Sequence, residues 1–196
     1  SGEGRIIDEF AQERRLFVAS EDIPDLVKQA FISAEDKNFY HHHGYDTRGM
    51  VAALIEAVKS RGENMRGAST ITQQVMKNFL LDGSRSIERK IKEIILATRL
   101  EQTLSKDRIL ELYLNEIDLG YRSFGVAAAA QTYFNKTLDQ LSLAEIAYLA
   151  ALPKSPGKGL RPVQEHDAAV ARRNYVLGEM LQNGYIDQAA YDEAKA

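Results

Sequence analysis

The chain has 196 residues, 44% hydrophobic and 27% charged, with a formal net charge of −3. That length supports one domain with a proper core, and the mixture excludes collagen-like and wholly disordered chains. Cysteine is absent, which removes a disulfide scaffold, a thiolate metal site and a cysteine nucleophile, and the acidic balance leaves no global positive field for nucleic acid.

Residues 1–22 read as an N-terminal arm. Ile6, Ile7, Phe10, Leu16, Phe17 and Val18 lie among charges around Gln12 and Arg14, a pattern that suits a short strand pair or an extended segment. From Pro24 the signals turn helical, with Val27, Ala30, Phe31 and Ala34 at spacings of three and four. A second helix is expected from Thr47, with Met50, Val51, Leu54, Ile55 and Val58 on one stripe, followed by a loop over Ser60 to Ala68. Thr70 with Gln73 makes a capping box for a third helix running to Phe79. Ser86 caps a longer one with an apolar stripe of Ile87, Ile91, Ile94, Ile95 and Leu100.

Ser105 opens a helix through Ile109, Leu112 and Tyr113 to about Asn115. Gly120 and Gly125 bracket a turn before an alanine-rich helix, Val126 to Tyr133. Ser142 with Glu145 repeats the capping box, and Pro153 stops the helix that follows; Lys154 to Pro162 reads as a loop. Val170, Val176, Leu177, Met180 and Leu181 mark another helix closed by Gly184, and Asp187 caps a short last one. About eight helices with short connections make a mostly-α domain over residues 23–196. No run approaches the roughly 18 apolar residues of a membrane span. A start at Ser1-Gly2 rather than methionine suggests a piece of a larger protein.

Three clusters can carry chemistry. Glu35-Asp36-Lys37-Asn38-Phe39-Tyr40-His41-His42-His43-Gly44 closes the first helix, where a part-desolvated carboxylate can work as a general base; a charged helix end with a histidine-rich turn is the plain alternative. Zinc is a poor match, because adjacent side chains on a turn rarely converge on one ion. The second cluster is Arg66-Gly67-Ala68-Ser69-Thr70-Ile71-Thr72-Gln73-Gln74 with Lys77. It either offers backbone N–H groups and hydroxyls to an anion at a helix start or is simply a capped helix with a polar side. The third is Arg85 with Arg89-Lys90-Ile91-Lys92-Glu93, in which both Arg89 and Lys90 can reach Glu93. Alone it reads as a solvated face; together with Lys77 it makes a candidate phosphate or diphosphate cradle.

Five stretches in order resemble the signatures of the lysozyme-like peptidoglycan glycosyltransferases. They are Glu35-Asp36-x-x-Phe39-x-x-His42-x-Gly44, Gly67-x-Ser69-Thr70-Ile71-Thr72-Gln73-Gln74, Arg89-Lys90-x-x-Glu93, Lys106-Asp107-x-Ile109-Leu110-Glu111-x-Tyr113-Leu114-Asn115, and Arg172-x-x-x-Val176-Leu177. The likeness runs from about Ile23 to the C-terminus. Ala68 departs from it, standing where the family usually has a second glycine.

The resemblance implies a two-lobed helical fold, with a large head and a smaller jaw near the membrane, that polymerises lipid II onto a growing lipid-linked glycan chain. It implies Glu35 as base on the acceptor 4-hydroxyl, inversion at the anomeric carbon, and release of a lipid diphosphate. Lys77, Arg85 and Lys90 would receive that diphosphate, with Glu93 as a second carboxylate that orients them or holds Mg2+ or Mn2+. Asp36, Phe39, His42, Gly67, Ser69, Thr70, Gln73, Gln74, Arg89 and Asn115 complete the implied substrate-binding set. Within it, Phe39 and His42 read as shaping the loop that holds Glu35, and the fourth and fifth stretches read mainly as packing, with Glu111 and Asn115 as buried polar exceptions and Arg172 as a buttress.

No organic cofactor and no nucleic acid is implied. The arm resembles the class A penicillin-binding members, which carry a membrane anchor before this domain and a transpeptidase domain after it, and act at the outer face of the cytoplasmic membrane. Two other classes remain. A lysozyme-like enzyme that cleaves glycan would need no cation cluster for a neutral sugar leaving group, and a non-catalytic docking module would bind a partner without turnover.

Overall fold

Eight α-helices carry the part of the chain that the computed structural model describes, residues 14–47, 69–79, 87–154 and 166–196. They are α1 (Asp25–Glu35), α2 (Ile71–Phe79), α3 (Ile87–Thr103), α4 (Lys106–Glu116), α5 (Val126–Phe134), α6 (Leu143–Ala151), α7 (His166–Gln182) and α8 (Gln188–Lys195). The fold is mostly helical, as the apolar spacing predicts. The helix expected from Thr47, the Ser60–Ala68 loop with Gly67, Arg85 and most of the Lys154–Pro162 loop lie outside the described residues.

Local chemistry accounts for the helix starts. Ser105 accepts from the Arg108 amide at the head of α4, and Asp187 accepts from the Ala190 amide at the head of α8. Ser142 and Glu145 exchange both bonds of a capping box before α6, each bond satisfying an amide that the helix leaves orphaned. Helix α1 buries Val27, Ala30, Phe31 and Ile32 against α6 and α7, which pack on each other. Alanines at 147, 150 and 151 are buried on α6 and allow close helix approach. The second packing group sets α2 against α3 and α4.

Among the described residues, the arm's strand has its partner far along the chain: β1 (Arg14–Arg15) runs parallel to β2 (Ser123–Phe124). Asn115 holds the next residues, accepting from the Val18 amide at 2.8 Å and donating to the Val18 carbonyl at 2.9 Å, while Glu111 accepts from the Ser20 amide. The stripe expected on α3 is turned. Ile91 and Ile95 are half exposed, and the inward line runs through Glu93 and Ala97.

The buried side of α3 takes a close backbone approach. Gly44, at φ +94°, lies so near α3 that a Cβ there would sit 2.7 Å from the Thr98 amide nitrogen and 2.8 Å from the Ala97 carbonyl carbon. Only glycine fits that backbone shape and gap against the α3 backbone.

Candidate active site

Helix α1 stops where Asp36 leaves helical geometry, at φ −157° and ψ 70°. The buried Asp36 carboxylate oxygen Oδ2 then accepts from the Ile71 amide at 2.9 Å and from His42 Nε2 at 2.8 Å. The Gly44 amide donates to His42 Nδ1 at 3.2 Å, so the proton of a neutral ring is assigned to Nε2, facing Asp36. Lys106 approaches the same Nδ1 at 3.4 Å, lies 4.5 Å above the Phe39 ring centroid, and donates to Glu101 at 2.8 Å. Thr72 also donates to Glu101, at 2.6 Å. This buried network ties the end of α1 to the first turns of α2 and α4 and to the end of α3, so the carboxylate at the tip of α1 stands on a stiff base. Tyr40 closes the edge by donating to Asp107; burial and that carboxylate raise its phenol to about 12, which keeps it protonated.

Glu35 is the residue just before this turn. Its Oε2 accepts from Gln74 Nε2 at 3.0 Å, and Arg172 Nη2 stands 4.0 Å from Oε1. Its side chain keeps 14% of its surface open to solvent, enough for a ligand hydroxyl to reach an otherwise enclosed carboxylate.

Of the second cluster, the residues from Ser69 onward are described, at the start of α2. The Thr70 amide donates to Gln73 Oε1, the Gln73 amide to Thr70 Oγ1, and the Ile71 amide to Asp36. Thr70 Oγ1 also donates to the Gly44 carbonyl at 2.8 Å. These amides are committed to protein partners, so among the described residues the helix start is a closed cap rather than an open anion nest. What faces outward is side-chain chemistry: Lys90 Nζ donates to Ser69 Oγ at 2.8 Å and approaches Gln73 Oε1 at 3.5 Å.

The third cluster is not a solvated face. Glu93 is 3% exposed, and its two oxygens meet Arg89 Nε at 3.0 Å and Lys90 Nζ at 3.2 Å. Lys90 itself leaves nearly half of its side chain in solvent, and Lys77 is exposed one turn beyond Gln73 and Gln74 on α2. The result is a buried anion holding cations at the surface, where a second, incoming anion can meet them. A divalent ion does not fit this donor set. Both Glu93 oxygens face cations, and no group of three or more acidic or histidine side chains that could hold a metal occurs among the described residues.

Of the implied binding residues, Ser69, Gln74, Lys77, Arg89 and Lys90 gather with Glu35 and Glu93 around α2. Asp36, Phe39, His42, Thr70 and Gln73 lie buried beneath them and are saturated with protein contacts. Asn115 stands apart: it is at the far end of α4 from Lys106, about 14 Å along the helix, and its amide serves the arm. Arg172, read from the sequence as a buttress, is instead beside Glu35, stacked 4.4 Å over the Tyr175 ring. Glu101, which lies in no signature stretch, is the buried partner of Lys106. Its one sequence cue is a carboxylate five residues before a lysine across a helix break.

A family model described as Transglycosylase matches residues 3–181. Penicillin-binding protein 1A of Escherichia coli (strain K12) is 51% identical over 195 residues, which cover 100% of this chain and 23% of that protein. Penicillin-binding protein 1A of Rickettsia bellii (strain RML369-C) is 48% identical over 196 residues, covering 99% and 25% respectively. The crystal structure of penicillin-binding protein 1A from Haemophilus influenzae aligns with a TM-score of 0.53 at 30% identity, over 93% of this chain and 17% of that one. The chain thus spans about a quarter of the length of these curated relatives.

Proposed function

The chain belongs to the transglycosylase family, as a glycosyltransferase domain of the class A penicillin-binding kind, and from that premise we propose that it polymerises lipid II into glycan strands with inversion at the anomeric carbon. Glu35 takes the proton of the acceptor 4-hydroxyl as that oxygen attacks. The bond from the anomeric carbon to the lipid diphosphate breaks on the opposite face, and its electron pair leaves with the diphosphate. A leaving group already that acidic needs positive charge more than a proton. Lys90 and Lys77 supply the charge, Arg85 adds to it, and Glu93 with Arg89 holds Lys90 in position.

One observation carries this reading. Adjacent residues of α2 touch the two halves of the machinery: Gln74 bonds Glu35 while Gln73 meets Lys90. Base and cations are therefore one side chain's reach to either side of a single helical turn, which suits an attack on one face of a sugar with departure from the other. Arg172 stands a positive charge 4.0 Å from the Glu35 carboxylate. Among the described residues no helix is long and apolar enough to cross a membrane; the polyprenyl tail of the substrate brings the domain to the outer membrane face, with an anchor and a transpeptidase domain in the rest of the protein.

The test is product chemistry. Lipid II given to the full-length protein in detergent should yield β-1,4-linked glycan strands and free lipid diphosphate, and isolated peptidoglycan should release no muropeptides. Muropeptide release without strand formation would instead make this a cleaving enzyme.

A further inference from the structure

Three buried polar side-chain atoms among the described residues have no hydrogen-bond partner: Glu101 Oε2, Arg172 Nε and the Tyr113 hydroxyl. Glu101 is served through its other oxygen, and Arg172 faces Glu35 through Nη2. Tyr113 has no second polar atom. It is 1% exposed on α4, and its ring meets Phe31 edge-on, with centroids 6.2 Å apart and planes at 74°. Phe31 lies one helical turn before Glu35 on α1, so the two share a face.

The hydroxyl also lies within the field of the two carboxylates at the end of that helix. Burial first, and Glu35 and Asp36 after it, push the phenol well above its ordinary value. Tyr113 therefore holds its proton and can only gain by donating it into a hydrogen bond. A phenylalanine would fill the same apolar space without an orphaned group, so the hydroxyl calls for an explanation outside packing.

We propose that Tyr113 is a positioning residue for Glu35, its hydroxyl donating to the Glu35 carboxylate when the acceptor is bound. This rests on the reading of Glu35 as the base. With Gln74 on one oxygen and Tyr113 joining Arg172 at the other, the carboxylate is held from both sides while a lone pair faces the sugar hydroxyl. A donor to the ionised form also lowers its proton affinity, so the bond keeps the base unprotonated until attack.

The experiment is Tyr113→Phe in the full-length protein, assayed with lipid II across pH, beside Glu35→Gln. The expected result is an unchanged melting temperature and KM within about twofold. The turnover number falls about tenfold, and the acid limb of the kcat–pH profile moves up by about half a unit or more. Unchanged turnover and an unmoved acid limb would overturn the proposal, as would a lowered melting temperature without a limb shift, which marks a packing role. An active Glu35→Gln protein would remove the base itself, and an inactive one beside an unaltered Tyr113→Phe would remove the positioning role alone.

Discussion

Replacing Glu35 with glutamine should lower lipid II polymerisation about a thousandfold while leaving the melting temperature near that of the parent. Glutamine has the same shape, and its carbonyl oxygen can still accept from Gln74 Nε2, now at 3.0 Å from Oε2. The Arg172 contact, at 4.0 Å, is too long to be a strong bond whose loss would unfold the site. What the amide cannot do is accept the proton of an attacking hydroxyl. The check is strand formation from labelled lipid II under single-turnover conditions, with thermal melting alongside. Activity within tenfold of the parent would dismiss Glu35 as base.

The second large effect is expected at Lys90. Lys90→Ala should slow donor use about a hundredfold or more, the loss typical of removing one preorganised group aimed at developing charge. Stability should change little, because Glu93 keeps Arg89 Nε at 3.0 Å when Lys90 is gone. A rival account makes Lys90 merely the partner of a buried carboxylate. It predicts that Glu93→Gln, by removing the charge to be neutralised, rescues Lys90→Ala. The diphosphate role predicts no rescue, with partial activity in Lys90→Arg, since a guanidinium is a cation of different geometry. Steady-state kinetics on the three proteins separates the two.

The sequence was most informative where the physics is local. The Thr70–Gln73 and Ser142–Glu145 boxes close as their spacing predicts, because each cap needs only residues within one turn. The mostly-helical fold was likewise readable, as was the Lys90–Glu93 pair, three residues apart on one helix. Orientation was not. Ile91 and Ile95 of α3 point outward while Glu93 and Ala97 turn inward beside the Gly44 backbone, a neighbour that nothing within α3 records.

Long-range pairing was equally hidden. Arg172 reaches Glu35 from another helix, and Arg14–Arg15 pairs with Ser123–Phe124. Neither contact leaves a periodicity or spacing signal in its own segment. The polar core around Asp36, His42 and Glu101 shows the same limit: charged residues read as surface from composition, yet Asp36 also accepts from the Ile71 amide, Glu101 from Thr72, and Lys106 stands beside His42.

A structure with a diphosphate-bearing lipid analogue and a sugar acceptor bound would probe the shared site most directly. The phosphates should lie against Lys90, Lys77 and Ser69, and the acceptor hydroxyl within about 3 Å of Glu35 on the other side of the Gln73–Gln74 turn. A diphosphate seated away from Lys90, with Glu35 facing no ligand oxygen, would contradict it.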